Sequence, residues 1–337
     1  MSQYLDALVD RADLDEIIRE IDALCAKREW NELASLRNKC AAAVKTGRQV
    51  WPAATLANYR LALHADAKNA AESLQHPTST FSIGPLTEVI AQSHTWNELQ
   101  KHITDAPMRG FVAYERAIRG DIIENDESLQ AILEIPLALG SWEPSYEVPF
   151  YSDNGVEAPT PLLTAVPFNK VKCNTSAQRD DDPDIEQAVR GVVEAWTAQS
   201  NGRVTFAAVS GGISSALGAL GLNEAFVCPL EPTQVMSLVA WAGASGGAHG
   251  RRRGMAQGRF SAWWLATAFA DALEEWPLRP NTLLAEMEEL QWFTWREEDP
   301  LHGWQLQLAV EDPFNDMSWA FSARDISSLI NDPSKPQ

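Results

Sequence analysis

Trp292-Phe-Thr-Trp-Arg296, Gly303-Trp-Gln-Leu-Gln-Leu-Ala-Val310 and Met317-Ser-Trp-Ala-Phe-Ser-Ala323 follow one another near the end of a 337-residue chain. Each run is short and rich in aromatic and apolar residues. Between them lie segments holding Pro, Asp and Asn, the residues that interrupt strands. The three runs predict an antiparallel set.

Upstream of this set the pattern is mixed. Residues 204–209 read as a short buried strand, followed by a glycine turn and a helix over 214–222, with another strand over 225–229. Residues 235–244 and 261–276 read as apolar helices, and 282–290 as a shorter amphipathic one. The runs 132–139, 146–151 and 162–168 are apolar, bounded by Pro and Gly, and predict strands, whereas 184–198 returns to helical spacing.

The first 120 residues are helical in pattern. Leu14, Ile17, Ile18, Ile21, Leu24 and Cys25 recur with a helical period, and Leu33, Leu36, Cys40 and Val44 continue it. Pro52 and Pro107 stand where helices start, Gly84 precedes a further apolar segment, and Thr95-Trp-Asn-Glu98 is a capping box. Trp-Asn-Glu-Leu occurs twice, at 30–33 and 96–99, with no fixed period, and coincidence explains it better than a solenoid repeat. The expected fold is α+β: a helical N-terminal part followed by a mixed α/β C-terminal part with antiparallel strands. The expected domains are residues 1–130 and 131–330.

The formal net charge of -19 argues against general nucleic-acid binding and against adsorption to anionic membranes, because both would repel the surface. The N-terminus lacks a basic segment leading into an apolar core, and no apolar run approaches the ~20 residues of a membrane span. A cytoplasmic location is expected. Cys25, Cys40, Cys173 and Cys228 are far apart and form no Cys-x-x-Cys pair, so reduced, buried thiols are expected. The 13 tryptophans, eight of them from Trp241 to Trp319, read as an aromatic core, with an aromatic ligand pocket as the sharper alternative.

Within the anionic chain, no Asp or Glu occurs between Glu231 and Asp271, and Ser245-Gly-Gly-Ala-His-Gly-Arg-Arg-Arg-Gly-Met-Ala-Gln-Gly-Arg-Phe260 lies inside that window. Glycine lets backbone N–H groups approach an anion, arginine offers a bidentate fork, and the following helix presents its N-terminus. Gly246, Gly247, His249, Arg251, Arg252, Arg253, Gly254 and Arg259 are therefore the candidate residues for binding an anion or a partner. The other reading is a structural loop whose arginines meet the protein's own acids. Residues 271–325 hold 13 acids against three arginines.

Three further motifs carry plainer readings. Val209-Ser-Gly-Gly-Ile-Ser-Ser215 is similar to the pyrophosphate loop of ATP pyrophosphatases, but Ser214 replaces the acidic residue, and a strand–turn–helix connection explains it more simply. Asp180-Asp-Asp-Pro-Asp184 fits a carboxylate-rich helix start better than a cation site. His94, His102, His249 and His302 show no spacing for zinc or a triad. No catalytic residue, metal or cofactor is expected.

Several segments together carry a resemblance: Trp30-Asn-Glu-Leu with Cys40-Ala-Ala-Ala-Val and Gln49-Val-Trp-Pro-Ala-Ala, Gly84-Pro-Leu-Thr-Glu-Val with His94-Thr-Trp, the run from Ala240-Trp-Ala-Gly-Ala-Ser through Gly254 and on to Ala262-Trp-Trp, and Ala309-Val-Glu-Asp-Pro313. The chain resembles a family of uncharacterised actinobacterial proteins, a domain of unknown function. The resemblance implies a bacterial cytoplasmic protein and assigns no activity. The expected function is a non-enzymatic binding or interaction protein whose Arg/Gly-rich loop meets an acidic protein partner or an anionic small ligand. The alternative is an enzyme on a phosphorylated or nucleotide-like substrate, with the arginines as a phosphate clamp and His249 moving a proton.

Overall fold

The computed structural model describes residues 2–76, 83–124, 126–163, 167–298 and 303–325. The fold is α+β. The chain forms two compact units and passes between them more than once: Met1–Ile132 with Val148–Ala158, and Leu133–Glu147 with Pro159–Gln337. A hairpin beyond the expected boundary thus belongs with the helical part.

The first unit is built from α1 (Ser2–Arg11), α2 (Leu14–Lys27), α3 (Trp30–Lys45), α4 (Trp51–His64), α5 (Ala67–Glu72), α6 (Leu86–Ser93), α7 (Trp96–Leu99), α8 (Ala106–Ile118) and α9 (Glu127–Gln130). Helix α2 shows why they form. Asp13 accepts a hydrogen bond from the Glu16 N–H at 3.1 Å, a cap worth about 1 kcal/mol. Ile17, Ile21 and Leu24 then line one face and are buried with Leu5, Leu8, Leu33 and Leu36. The capping box of Thr95 and Glu98 forms as read, but the helix it opens is only four residues long.

The strand expected over 146–151 is reduced to β1 (Phe150–Ser152), paired in a hairpin with β2 (Gly155–Glu157). Gln92 of α6 supplies what a further strand would have: the Tyr151 N–H donates to its Oε1 at 2.6 Å, and its Nε2 donates to the Tyr151 carbonyl at 2.9 Å.

The second unit holds a six-stranded antiparallel sheet of β3 (Asn169–Lys172), β4 (Arg203–Ser210), β5 (Glu224–Leu230), β6 (Gln291–Arg296), β7 (Trp304–Asp312) and β8 (Met317–Asp325), in the order β3-β5-β6-β7-β8-β4. The last three predicted strands are β6, β7 and β8. Its helices are α10 (Pro183–Val192), α11 (Glu194–Gln199), α12 (Ile213–Ala219), α13 (Pro232–Ala244), α14 (Met255–Phe269) and α15 (Pro280–Glu289). Period-two alternation sends side chains to opposite faces. Val209, Trp295, Ala309 and Ala320 pack under α12. On the other face Trp292 and Trp319 meet Phe269 of α14, with ring centroids 5.3 and 5.6 Å apart.

Several expectations are corrected. Residues 132–139 form turns and no strand, although the alternating Leu133, Ile135 and Leu137 are all buried. Their apolar alternation is genuine, but the backbone finds a buried side chain instead of a neighbouring strand. The helix read over 184–198 is broken at Val193 into α10 and α11. Strand β4 lies at the sheet edge, with Arg203 and Thr205 exposed and only Ala207, Ala208 and Val209 buried. The strand expected over 162–168 includes residues outside those described.

The largest correction concerns α14. It begins at Met255, so the connection from α13 spans 245–254, and Gly258 and Arg259 are helical. A glycine inside a helix costs about 1 kcal/mol relative to alanine. Packing explains it here, since a Cβ on Gly258 would overlap the Ala240 carbonyl oxygen, and one on Gly243 would crowd the Ser261 side chain. The two glycines let α13 and α14 approach closely.

Candidate functional site

The 245–254 connection is tethered through its main chain. The Ala248 N–H donates to Asp325 Oδ2 at 2.6 Å, the His249 N–H to Ser200 Oγ at 3.1 Å, and the Arg251 N–H to Gln199 Oε1 at 3.1 Å. The Arg253 N–H closes the segment by donating to the Ala244 carbonyl at 2.7 Å, with Gly254 N–H reaching the same oxygen at 3.3 Å. Gly246 is buried, and a Cβ there would overlap the backbone of Gly250 and Arg251. Gly247 has φ +70°, and a Cβ on it would overlap Asp325 Oδ2. Glycine therefore serves a close approach and a left-handed turn.

Below the connection lies an aromatic cluster. Trp241 and Trp304 stack at 5.1 Å, and Trp196 meets them edge-on at 6.0 and 6.3 Å. Trp196 Nε1–H donates to Ser245 Oγ at 2.7 Å, so the first residue of the connection is fixed to this cluster. Trp196 and Trp241 are buried and packed, as the aromatic-core reading expects.

The four arginines separate. Arg259 is fully buried, and its Nε and Nη2 each donate to a Glu143 carboxylate oxygen at 2.7 Å. Its Nη1 and Nη2 also donate to the carbonyls of Pro136 and Ala138 at 2.6 and 3.2 Å. These are the backbone groups that a strand over 132–139 would have paired. Burial alone would raise the Glu143 carboxyl, but Arg259 overrides it and holds that group below its usual range, aided by the Gly140 N–H and the Tyr146 hydroxyl. Arg253 is partly withdrawn: Nη1 donates to the Gly191 carbonyl at 3.2 Å, and Nη2 lies 3.8 Å from Glu194. Burial lowers its pKa, and Glu194 opposes that shift. Arg251 and Arg252 are half-buried, and His249 is exposed.

Sequence reasoning missed Glu143, Gln199, Ser200 and Trp196 as the groups that hold this region. Asp325 belonged to the acid-rich stretch considered as a source of partners for the arginines, yet it binds the backbone. Nothing local marks the others, because each lies some fifty residues or more from its partner.

The other motifs settle simply. Gly211 and Gly212 form the turn into α12, and the Ile213 N–H donates to Glu311 Oε2 at 3.1 Å, so a carboxylate of the protein itself occupies the end that resembled a phosphate loop. Asp182 caps α10 by accepting from the Ile185 N–H at 3.2 Å and accepts from Trp319 Nε1–H at 2.8 Å. Among the described residues, no group of three His, Cys, Asp or Glu side chains could hold a metal ion. No helix among them is long and apolar enough to cross a membrane.

Fold and site thus define an α+β protein with a backbone-tethered Gly/Arg connection between two closely packed helices. The chain belongs to a family of unknown function (DUF6183), whose model matches residues 15–326 and so covers most of both units. No curated protein and no solved structure matches the chain.

Proposed function

We propose that this is a binding protein whose 245–254 connection presents His249, Arg251 and Arg252 to an acidic segment of a partner protein. One observation carries the reading: the backbone N–H groups of Ala248, His249 and Arg251 donate to Asp325, Ser200 and Gln199, so the main chain of the connection is fixed at three points. A fixed platform loses little conformational entropy on binding. Gly246, Gly247 and Gly254 shape the platform, Arg253 holds it to Gly191 and Glu194, and Arg259 anchors the following helix to Glu143. An anionic small ligand would meet the same three side chains.

The enzymatic alternative needs a concave pocket holding His249, an arginine and a tryptophan together. Neither a cleft of about 510 Å³ in the helical unit nor one of about 590 Å³ beside β4 is lined by His249 or by a tryptophan. A cytoplasmic setting fits the four free cysteines, which a reducing compartment preserves.

The test is a titration with hexaglutamate, followed through the backbone amide resonances of 246–253 and compared with inorganic phosphate. The expected result is saturable shifts at His249 and Arg251 with hexaglutamate, at least tenfold weaker in the Arg251→Ala/Arg252→Ala protein. Shifts with phosphate alone would assign the site to small anions. Identical titrations of the two proteins would sink the proposal.

A further inference from the structure

Strand β4 pairs with β8 along its whole length, from Arg203 opposite Arg324 to Ser210 opposite Met317. Its other side is nearly bare. Among the described residues the one backbone pairing there is Asp180 with Ala208, in which the Asp180 N–H donates to the Ala208 carbonyl at 2.9 Å. That bond fixes which residues look outward. In an antiparallel pair, successive residues direct their N–H and C=O alternately to one neighbour and the other. Since the Ala208 carbonyl points away from β8, the backbone groups of Phe206 and Val204 do so as well. Among the described residues nothing pairs with them.

This bare edge is one wall of a cleft of about 590 Å³, and the start of α10 with Asp180–Asp182 forms the other. An open edge beside a helix is the setting in which an extended peptide adds as a further strand. Asp180 already shows the geometry in miniature, because one residue of the chain pairs antiparallel with β4 before the backbone turns away to cap α10. At about 3.4 Å per residue, the open stretch from Arg203 to Ala207 accommodates roughly five residues.

Charge identifies the occupant. Asp180, Asp181, Asp182 and Glu186 line the cleft, against Arg179 and Arg190. Arg190 donates to Glu186 at 2.6 and 2.9 Å, and Arg179 Nε donates to the Ala219 carbonyl at 3.0 Å. With Arg190 and Glu186 paired, Asp180, Asp181 and Asp182 outweigh the one remaining cation, Arg179, so the rim is net anionic on a chain of net charge -19. A second copy would bring the same acids against this rim, which like-charge repulsion opposes. We infer that the β4 edge binds an extended basic peptide segment, antiparallel to β4, with Lys or Arg at alternate positions meeting Asp181 and its neighbours. The cleft has no lining residue from the 245–254 connection.

The experiment is fluorescence anisotropy of the full-length protein with labelled Lys-Val-Lys-Val-Lys-Val. The acidic counterpart Glu-Val-Glu-Val-Glu-Val and a basic peptide N-methylated on alternate residues serve as controls. The basic peptide is expected to bind saturably, and the acidic one to show no binding. N-methylation, which removes the donors that would pair with β4, is expected to weaken binding at least tenfold in one of its two registers. Val204→Pro removes an outward N–H and leaves the β8 ladder intact, and Asp181→Lys reverses the rim charge, so each should weaken binding at least tenfold. Binding indifferent to N-methylation in both registers would reduce the effect to electrostatics and overturn strand addition, even if Val204→Pro failed to fold. Absence of saturable binding would also overturn it. So would self-association of the wild-type protein in sedimentation that Val204→Pro abolishes, since the edge would then belong to a second copy.

Discussion

Arg259 of α14 grips Glu143 through two parallel hydrogen bonds of 2.7 Å, with both side chains fully buried. The same arginine satisfies the Pro136 and Ala138 carbonyls, and the same carboxylate accepts from Tyr146 Oη at 2.7 Å and Trp263 Nε1 at 3.2 Å. One ion pair therefore organises the irregular 133–147 segment against α14. Removing one partner of such a pair leaves an uncompensated buried charge, which costs about 3–5 kcal/mol. Arg259→Ala should lower unfolding free energy by that amount in urea denaturation. A loss within about 0.5 kcal/mol would show that the pair does not hold the segment.

The pH dependence has a definite sign. Glu143 titrates below its ordinary value of 4.5, so it favours the folded state above that value and loses the contribution as pH falls through its depressed folded value. Stability should decline as the solution is acidified from about pH 5 downward, through this group among others. Glu143→Gln should be less stable at neutral pH and should show a shallower decline. Urea midpoints collected for both proteins across that range decide the point, and parallel curves would exclude Glu143 as a contributor.

Asp325 is the anchor of the Gly/Arg connection. Asp325→Ala removes the acceptor for the Ala248 N–H and should cost about 1–3 kcal/mol. Hydrogen exchange at Ala248, His249 and Arg251 should accelerate, with smaller changes in the core of α14. Asp325→Asn keeps an acceptor and should preserve most of the protection. Equal protection in all three proteins would mean that the other tethers suffice.

Gly258 tests the close packing of α13 and α14. By propensity alone, Gly258→Ala would stabilise a helix by about 1 kcal/mol. The overlap with the Ala240 carbonyl predicts the opposite sign, a loss of about 1–3 kcal/mol from overpacking. The direction of the shift in thermal midpoint is sufficient to decide.

Cys40 is fully buried, and burial pushes its thiol up to about 11. At that value only about 0.1% is thiolate at pH 8 while the site stays buried. Its reaction with a disulfide reagent should track global unfolding, while the half-buried Cys25 reacts sooner. Rapid modification of Cys40 in the folded protein would contradict the burial of α3.

Much of the architecture was legible locally. The 292–323 strands, the period of α2, the capping box at Thr95 and the carboxylate-rich start of α10 follow from side-chain alternation and short-range interactions, which depend on residues a few positions apart. The failures have a common cause. Leu133, Ile135 and Leu137 alternate like a strand, but whether such a segment becomes one depends on a partner, and here the partner is Arg259, more than 120 residues away. Residues 204–209 read as buried because they are apolar, yet burial of a strand depends on its place in the sheet order.

The sequence by itself determined the α+β class, the helical first part and the closing antiparallel set, the acid-free Gly/Arg stretch and the family to which the chain belongs. Only the tertiary structure divided that stretch into a helical part and a tethered connection, sent Arg259 into the core, and gave Asp325 to a backbone N–H rather than to an arginine. Composition counts opposite charges, but an ion pair forms only where the fold brings two groups within about 3 Å at the right angle.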